Sequence, residues 1–279
     1  MKTIRWGIVG AGGIARRFAE ACKNTPGASL EAIASRTEEK AAKFARELGI
    51  ARSFGSYEAM AAWDGIDAAY IATPHATHGP FAILFMNHGK AVLSEKPATV
   101  NQNELQKMLD SAKENKVFFM EAMWARLTPG TIKLLELVES GAIGEVKGIQ
   151  AAFCYDMSDE PDHHAFNPVY GGGSLLDVGC YCLSFASWLT DSPVEDICAQ
   201  AELGVTGVDV HCCVLIKYQS GAIASLTSAM LLQKPGDGYV FGDKGYIKTT
   251  DRFYAPQEFT VFAEGKEPVV YKCPFLGNG

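Results

Sequence analysis

Short apolar runs alternate with amphipathic, helix-like segments along residues 3–122 of this sequence. Parallel strands need crossover helices between them, and helices on both faces bury such strands. The pattern therefore predicts an α/β fold with a doubly wound parallel sheet, the architecture of a Rossmann domain. We predict strands at 3–9, 30–35, 51–54, 67–73, 91–95 and 117–122, with helices from about residue 14 and at 38–48, 57–63, 79–89 and 103–115.

A glycine-rich loop, GAGGIA at 10–15, joins the first predicted strand to the first helix. In that position the GxGxxA spacing is typical of a dinucleotide site. Gly10 permits the tight turn, Gly12 lets the backbone approach a pyrophosphate, and Ala15 keeps the helix close to the strand. Helix N-terminal amides would face the phosphates. The residues predicted to bind the cofactor here are Gly10, Gly12, Gly13 and Ile14.

The end of the second strand indicates which dinucleotide is bound. NAD sites usually carry an acidic residue there for the ribose hydroxyls, whereas this sequence has Ser35, Arg36 and Thr37. A guanidinium and two hydroxyls suit a 2′-phosphate. Glu31 lies at the other end of the strand and cannot reach the same place. We therefore predict NADP in preference to NAD; the alternative is that Arg36 is a solvated surface charge.

Polar residues follow three more of the predicted strands, at the edge where open parallel sheets bind ligands. Thr73, Pro74 and His75 follow one strand, Glu95, Lys96 and Pro97 the next, and Glu121 ends a third. Pro97 disfavours helical backbone at Lys96 and limits where the lysine can point. We predict that Thr73, Pro74, His75, His78, Glu95, Lys96 and Pro97 border the cofactor. The alternatives are a solvated lysine and a histidine pair that only forms a turn.

A second constellation lies in GGGSLLDVGCYCLSFASWL at 171–189, which has a helical apolar face. Asp177 and Tyr181 are four residues apart, so a helix would hold a carboxylate and a phenol on one face. A competing interpretation is structural: Ser174 is a good N-cap, Asp177 completes an S-x-x-D capping pattern, and Tyr181 is a core ring. A phenol is a poor base at neutral pH unless a cation such as Lys96 lies close.

Composition excludes several classes of protein. The net charge of −7 and pI near 5.4 argue against nucleic-acid binding. No apolar stretch approaches the length of a membrane span, and the start runs directly into a strand pattern, so we expect a cytoplasmic protein without a membrane partner. The eight cysteines lack CxxC spacing. Asp159, Asp162, His163 and His164 are a weak set of metal ligands, because adjacent histidines rarely bind one ion, and we predict no metal.

From residue 146 the pattern changes to longer strands separated by Gly, Pro and Asp turns. These strands predict a meandering sheet in a second domain. The predicted segments are VKGIQAAFCYDM, VEDICAQAEL, DVHCCVLIKYQ, GAIASLTSAML, GDKGYIKT and EFTVFAEG.

The sequence resembles the Gfo/Idh/MocA family of nicotinamide-dependent oxidoreductases. The matching segments are GIVGAGGIA at 7–15, ASRTEEKAAKFA at 34–45, YIATPHATHGPFAILFMNHGKAVLSEKPATVN at 70–101 and GGGSLLDVGCYCL at 171–183. MEAMWARLTP at 120–129 and the tyrosine at 181 resemble the branch of dihydrodiol dehydrogenases and glucose-fructose oxidoreductases. Many relatives have histidine at that tyrosine position.

The resemblance implies a Rossmann domain at 1–122 and a substrate-binding and oligomerisation α+β domain at 123–279, with an open, mostly antiparallel sheet. It implies that Lys96 and Tyr181 form the catalytic pair, that Asp177 orients the substrate, and that Trp124 and Arg126 line the cleft; a packed indole and an exposed charge are the alternatives for the last two. It also implies a homodimer or higher homo-oligomer and a C-terminal helix, which we expect to be missing here.

The expected activity is hydride transfer between the nicotinamide and a carbinol or carbonyl carbon of a sugar, cyclic polyol or trans-dihydrodiol. The alternative is a regulator that binds the cofactor without catalysis. Intact Lys96, Asp177 and Tyr181 favour the enzyme, because a sensor has little need for all three.

Overall fold

The computed structural model describes residues 3–275. They form two compact units, with the boundary between Ala122 and Met123. The strands of the first unit are Ile4–Val9 (β1), Ala28–Ala34 (β2), Arg52–Phe54 (β3), Ala68–Ile71 (β4), Ala91–Ser94 (β5) and Phe119–Glu121 (β6). They pair in the order β3-β2-β1-β4-β5-β6, with every pair parallel, which confirms the predicted sheet.

The helices of the first unit are Gly13–Lys23 (α1), Glu38–Leu48 (α2), Tyr57–Ala61 (α3), His78–Asn87 (α4) and Gln102–Asn115 (α5). A side chain caps three of them, because Thr37, Ser56 and Asn101 each accept a hydrogen bond from a first-turn amide. The predicted range of α2 is correct. The predicted strands at 67–73 and 91–95 were too long, since their last residues, Ala72, Thr73 and Glu95, leave the sheet and form the loops above its edge.

The first unit has one apolar core on each face of its sheet. Val9 and Ile71 pack with Phe85 and Met108 on one face, while Ile8 and Ile33 pack on the other. Neighbouring residues of a strand point to opposite faces, so a strand covered on both sides is apolar throughout. The strand order reverses between β1 and β4, because β2 and β3 lie on one side of β1 and β4–β6 lie on the other. Ligands of such sheets bind outside the strand ends at that point.

The second unit contains α6 (Pro129–Glu139) and α7 (Cys180–Trp188) and eight strands. The strands are Val146–Cys154 (β7), Val194–Leu203 (β8), Asp209–Tyr218 (β9), Ile223–Ala229 (β10), Gly238–Gly242 (β11), Gly245–Thr249 (β12), Glu258–Ala263 (β13) and Val269–Lys272 (β14). Their order is β14-β13-β12-β11-β7-β10-β9-β8. The sheet is mostly antiparallel, as expected.

The predicted continuous meander was wrong in one respect. β7 lies between two separate meanders and runs parallel to β10, because the chain leaves the sheet after β7 and returns through α7. The sequence also contains two strands that we did not predict, β11 and β14. Both are short, so their local pattern is weak.

One face of the second sheet packs on the two helices. Leu134 of α6 and Phe185 of α7 are buried with Phe253 and Phe259 in a single apolar core. Within residues 3–275, no helix is long and apolar enough to cross a membrane. The expectation of a missing C-terminal helix concerns the end of the chain, and residues 276–279 lie outside the described part.

Candidate active site

The glycine loop after β1 has the geometry that a dinucleotide requires. Gly10 has a φ of +104°, and a Cβ there would lie 2.6 Å from the carbonyl oxygen of Ala72, so only glycine fits. A Cβ at Gly12 or Gly13 would meet no atom within 4 Å, which leaves open space above the turn. Gly12 caps α1 without a side-chain hydrogen bond. The first amides of α1 are therefore suited to bind a pyrophosphate.

The three residues after β2 differ in exposure. Arg36 and Thr37 are exposed, whereas Ser35 is buried and its backbone N–H donates to Phe54 O at 3.1 Å. Thr37 Oγ1 accepts a 3.3 Å hydrogen bond from the N–H of Lys40 at the start of α2. A hydroxyl that accepts in this way keeps its own proton available to a ligand. Arg36 and Thr37 are therefore better placed than Ser35 to contact the adenosine end of a cofactor.

Lys96 follows β5 in a loop that hydrogen bonds of partly buried groups hold. The Tyr70 hydroxyl donates to Glu95 Oε1, and the N–H of Ala98 donates to Glu121 Oε1 at 2.7 Å. Burial raises the pKa of Glu95, while the Tyr70 hydroxyl and the charge of Lys96 oppose part of that rise. Lys96 itself is half-buried, and the Lys96–Pro97 peptide bond is cis. The lysine thus belongs to a hydrogen-bonded strand end.

His78 lies beneath the same loops. Its ring is 0% exposed, with Nδ1 2.8 Å from Pro97 O and Nε2 2.7 Å from Thr73 O. Carbonyl oxygens only accept, so a neutral ring donates to one of them and a protonated ring to both. Burial lowers the pKa of His78, although the two carbonyls act in the opposite direction.

The expectation that His78 borders the cofactor needs a correction, because a fully buried ring has no surface to offer. Its contacts instead tie the loop after β4 to the loop that carries Lys96. Nearby, Thr77 Oγ1 donates to Thr73 Oγ1 at 2.9 Å, His75 is buried, and Pro74 is exposed.

In the second unit, residues 175–179 form a π-helical turn that leads directly into α7. The predicted capping role of Ser174 was wrong. Its hydroxyl donates to Asp209 Oδ2 at 2.7 Å, and the N–H of Leu175 donates to the same oxygen at 2.8 Å. The helix start is thus capped by a carboxylate from β9, an arrangement that contributes about 1 kcal/mol. π-helical turns occur frequently at functional sites.

The structural alternative supposed that Asp177 completes a capping pattern with Ser174. The observed hydrogen bonds are different. Its Oδ2 accepts a 2.6 Å hydrogen bond from the hydroxyl of Tyr155, which follows β7. Burial and the nearby charge of Asp177 raise the pKa of Tyr155, so this phenol stays protonated and remains a donor. Our sequence reasoning missed Tyr155. Its position at the carboxyl end of a strand was the available signal.

Replacing Tyr155 with phenylalanine removes one hydroxyl and leaves the ring. A hydrogen bond to a charged group is worth about 1.5–3 kcal/mol, so we expect the specificity constant for substrate to fall about tenfold to a hundredfold while cofactor affinity is unchanged. Steady-state kinetics and cofactor titration measure both. Tyr218→Phe, at a buried phenol on β9, is the control. A Tyr155→Phe enzyme with full specificity constant would show that the contact with Asp177 is irrelevant to turnover.

Tyr181 is only 7% exposed, and its hydroxyl oxygen accepts a 3.0 Å hydrogen bond from Trp124 Nε1. Phe153 and Tyr254 pack on its ring with centroid distances of 5.5 and 5.3 Å. The guanidinium of Arg126 lies over the ring of Trp188 at 5.8 Å. One aromatic wall thus surrounds the Tyr181 phenol and the Asp177 carboxylate. It consists of Trp124, Phe153, Tyr155 and Tyr254. Tyr254 follows no motif, so no local pattern indicated its place in the site.

Within residues 3–275, no group of three or more His, Cys, Asp or Glu side chains could hold a metal ion. The rings of His163 and His164 contact each other with centroids 4.0 Å apart and planes tilted by 43°. In the same described range the cysteines form no disulfide.

Comparisons with known proteins identify the family of the chain. Residues 4–123 match the model of the oxidoreductase family with an NAD-binding Rossmann fold, and residues 131–248 match the Gfo/Idh/MocA C-terminal domain. The chain is 37% identical to a mouse trans-1,2-dihydrobenzene-1,2-diol dehydrogenase over 278 residues, covering 99% of this chain and 82% of the relative.

Solved structures share the fold. A 3-ketoreductase from Actinomadura kijaniata, in complex with NADP and TDP-benzene, superposes with a TM-score of 0.89 at 24% identity, covering 98% of this chain and 85% of that one. A levoglucosan dehydrogenase in complex with NADH and levoglucosan gives a TM-score of 0.89 at 21% identity over 97% and 80% of the two chains. Since both of its domains match and a relative is 37% identical over 99% of the chain, the protein belongs to the Gfo/Idh/MocA family of NAD(P)-dependent oxidoreductases.

Proposed function

We propose that this protein is an NAD(P)-dependent dehydrogenase or reductase that acts on the CH–OH or carbonyl group of a sugar, cyclic polyol or trans-dihydrodiol. The observation that carries the proposal is the helix with Asp177 and Tyr181, whose oxygens are each fixed by a hydrogen-bond donor of the aromatic wall. A protein that only binds cofactor has no need of such an arrangement. The sequence features described above favour a cytoplasmic location.

The bound nicotinamide would supply or accept the hydride. In the direction of reduction, Tyr181 gives its proton to the substrate oxygen and becomes a phenolate; in oxidation it takes the alcohol proton back. Lys96 polarises that oxygen and stabilises the phenolate through its positive charge. Asp177 accepts a hydrogen bond from a second substrate hydroxyl and so orients the ring. The aromatic wall offers an apolar surface to a cyclic substrate.

Within the first domain, we propose that Gly10, Gly12, Gly13 and Ile14 hold the pyrophosphate and that Thr73, Pro74, His75, Glu95, Lys96 and Pro97 surround the nicotinamide. His78 would support this group from below, through Thr73 and Pro97, without touching the cofactor. Trp124 and Arg126 would line the substrate side. The proposal rests on the glycine geometry and on the hydrogen bonds of the strand-end loops.

Turnover distinguishes the enzyme from a cofactor-binding regulator. Purified protein is incubated with NADP or NAD and a panel of aldoses, inositols and trans-dihydrodiols, while absorbance follows the reduced cofactor. We expect oxidation of at least one class of substrate. Tight cofactor binding without turnover of any panel member, in either direction, would favour the regulator.

Arg36→Ala tests the preference for NADP. Loss of a guanidinium that pairs with the 2′-phosphate should weaken NADP binding by about tenfold to a hundredfold and change the affinity for NAD by less than about threefold. Isothermal titration with each cofactor gives the two ratios. Arg46→Ala, at the opposite end of α2, removes an exposed arginine as the control. Equal losses for both cofactors would refute the 2′-phosphate contact.

We also propose a homodimer formed through the sheet face of the second domain that does not pack on α6 and α7. Leu215, Ile223 and Phe241 on this face are exposed, and the rings of Tyr246 and Phe262 stack beside them at 4.4 Å. Their strand neighbours Val240 and Ile247 are buried on the other side. A contiguous exposed apolar patch of this kind is typical of a protein interface.

Phe241→Arg places a charge in the middle of that face, so we expect the dimer to dissociate to monomers at micromolar concentration. Analytical ultracentrifugation measures the change. Val205→Arg changes an exposed apolar residue in the turn between β8 and β9 and should leave the dimer intact. A wild-type monomer, or a dimer that tolerates Phe241→Arg, would contradict the proposed interface.

A further inference from the structure

The hydrogen bond between Trp124 and Tyr181 has a fixed direction. An indole Nε1–H donates and cannot accept, so the phenol oxygen is the acceptor whether the phenol is protonated or ionised. The phenol's own proton must therefore lie on the side of the oxygen that faces away from the indole. A hydroxyl or a water can both donate and accept, so neither would impose this direction on the hydrogen bond.

The surrounding rings hold both partners of the hydrogen bond. Trp124 begins a short 3₁₀ turn, 124–127, in which the N–H of Arg126 donates to Met123 O at 3.1 Å and Ala125 is buried. The ring of Trp124 meets Tyr181 and Tyr254 edge to face, with centroids 6.4 and 6.1 Å apart. Rotation of either partner requires the cluster to repack. The donor is thus fixed before any substrate binds.

Trp124 is nevertheless 45% exposed, so its packing alone does not explain the arrangement. A merely structural indole would be expected to satisfy its N–H with water or a backbone carbonyl. Here it contacts the one oxygen on which the proposed reaction forms a negative charge. Charge-assisted hydrogen bonds are roughly twice as strong as neutral ones, so this donor stabilises the phenolate more than the phenol.

Several other polar groups near Tyr181 in the second domain make contacts of their own. Asp177 on its own helix is an acceptor and is bonded to Tyr155. The Tyr254 ring packs on Tyr181, and burial raises the pKa of the Tyr254 phenol. Arg126 is directed over Trp188. Lys96, from the first domain, is the cation of the proposed mechanism.

We infer that Trp124 is a positioning residue for proton transfer, beyond any part it has in lining the cleft: its N–H turns the proton of Tyr181 toward the substrate oxygen and stabilises the phenolate that remains. The inference rests on the proposed function. In reduction, the Tyr181 O–H bond breaks and the substrate O–H bond forms, while the electron pair of the broken bond stays on the phenol oxygen and the carbonyl carbon receives the hydride of the reduced cofactor. Oxidation reverses each change.

The test places benzothienylalanine at position 124, which keeps the fused ring but replaces the N–H with sulfur. With the full-length enzyme and a panel substrate, we expect kcat to fall about tenfold to a hundredfold, while KM and the cofactor Kd change by less than about threefold. The same replacement at Trp188 should leave kcat unchanged. Trp124→Phe is the second variant, and we expect it to lose kcat equally and to raise KM, because it also loses contact area.

Two further measurements separate this role from simple packing. In a Tyr181→Phe background, benzothienylalanine at 124 should cause no further loss of the residual rate, because the group through which it acts is gone. In the ¹⁵N-labelled protein saturated with NADP, the Trp124 indole N–H resonance should move when Tyr181 is replaced by phenylalanine.

An unchanged kcat with benzothienylalanine, an additive loss in the Tyr181→Phe background or an unmoved indole resonance would overturn the inference and leave the proposed function intact. Absence of wild-type turnover with every panel substrate would instead overturn the proposed function, and with it this role of Trp124.

Discussion

Tyr181→Phe should lower kcat by about three orders of magnitude and leave the Kd for NADP unchanged. The substitution removes the only atom that the mechanism uses to move the proton, and general acid–base catalysis contributes about 10²–10⁴-fold. The ring stays, so its contacts with Phe153 and Tyr254 are retained. The glycine loop that would bind the pyrophosphate belongs to the first domain and is not changed. Single-turnover kinetics and cofactor titration measure the two quantities separately.

The loss of a buried hydroxyl can also act through stability, and a matched variant controls for this. Tyr218→Phe removes another buried phenol oxygen of the same domain core and should keep full activity. If Tyr181→Phe turns over substrate at the wild-type rate, Tyr181 is not the acid or base, and the structural interpretation of this ring as a core tyrosine is correct.

Lys96→Met should lower kcat by about a hundredfold to a thousandfold, because it removes the charge that polarises the substrate oxygen and stabilises the phenolate. It has a second consequence within the first domain. Burial already raises the pKa of Glu95 and the charge of Lys96 opposes that rise, so Glu95 should become easier to protonate in the variant. We expect Lys96→Arg to retain intermediate activity, since the charge is kept but its geometry differs.

Lys90 provides the control for Lys96. Lys90 is more deeply buried than Lys96 and lies just before β5, whereas Lys96 follows that strand, so the two cations mark opposite ends of the same strand. Lys90 pairs with Asp64 at 3.8 Å. Lys90→Met should change the free energy of unfolding without changing kcat in the folded enzyme. Equal loss of kcat in both lysine variants would mean that Lys96 acts only through the stability of its domain.

The fold of the first domain follows from local pattern, because each strand and helix carries its own periodicity and parallel strands require the helical crossovers. The second domain was less predictable. The order of its strands depends on where β7 pairs, and that choice is made by contacts with β10 and β11, which lie more than 60 residues later. Short strands such as β14 contain too few residues for an alternation of apolar and polar side chains to be recognised.

The candidate site shows the same division. Lys96, Asp177 and Tyr181 could be named as candidates from the sequence, because strand ends and the spacing of four residues are local properties. Their partners could not. Tyr155 lies 22 residues from Asp177, and Trp124 lies 57 residues from Tyr181. Asp209, which caps the helix start, lies 35 residues beyond Ser174. Only the folded chain brings these donors and acceptors together. The same holds for His78, whose buried ring joins the loop after β4 to the loop that carries Lys96.

A crystal structure of the full chain with NADP and a bound polyol or dihydrodiol tests the central claim most directly. We expect Tyr181 Oη and Lys96 Nζ each to lie about 3 Å from the same substrate oxygen, with Trp124 Nε1 still donating to Tyr181. A substrate bound with its reacting oxygen away from Tyr181, or with Lys96 turned into solvent, would contradict it.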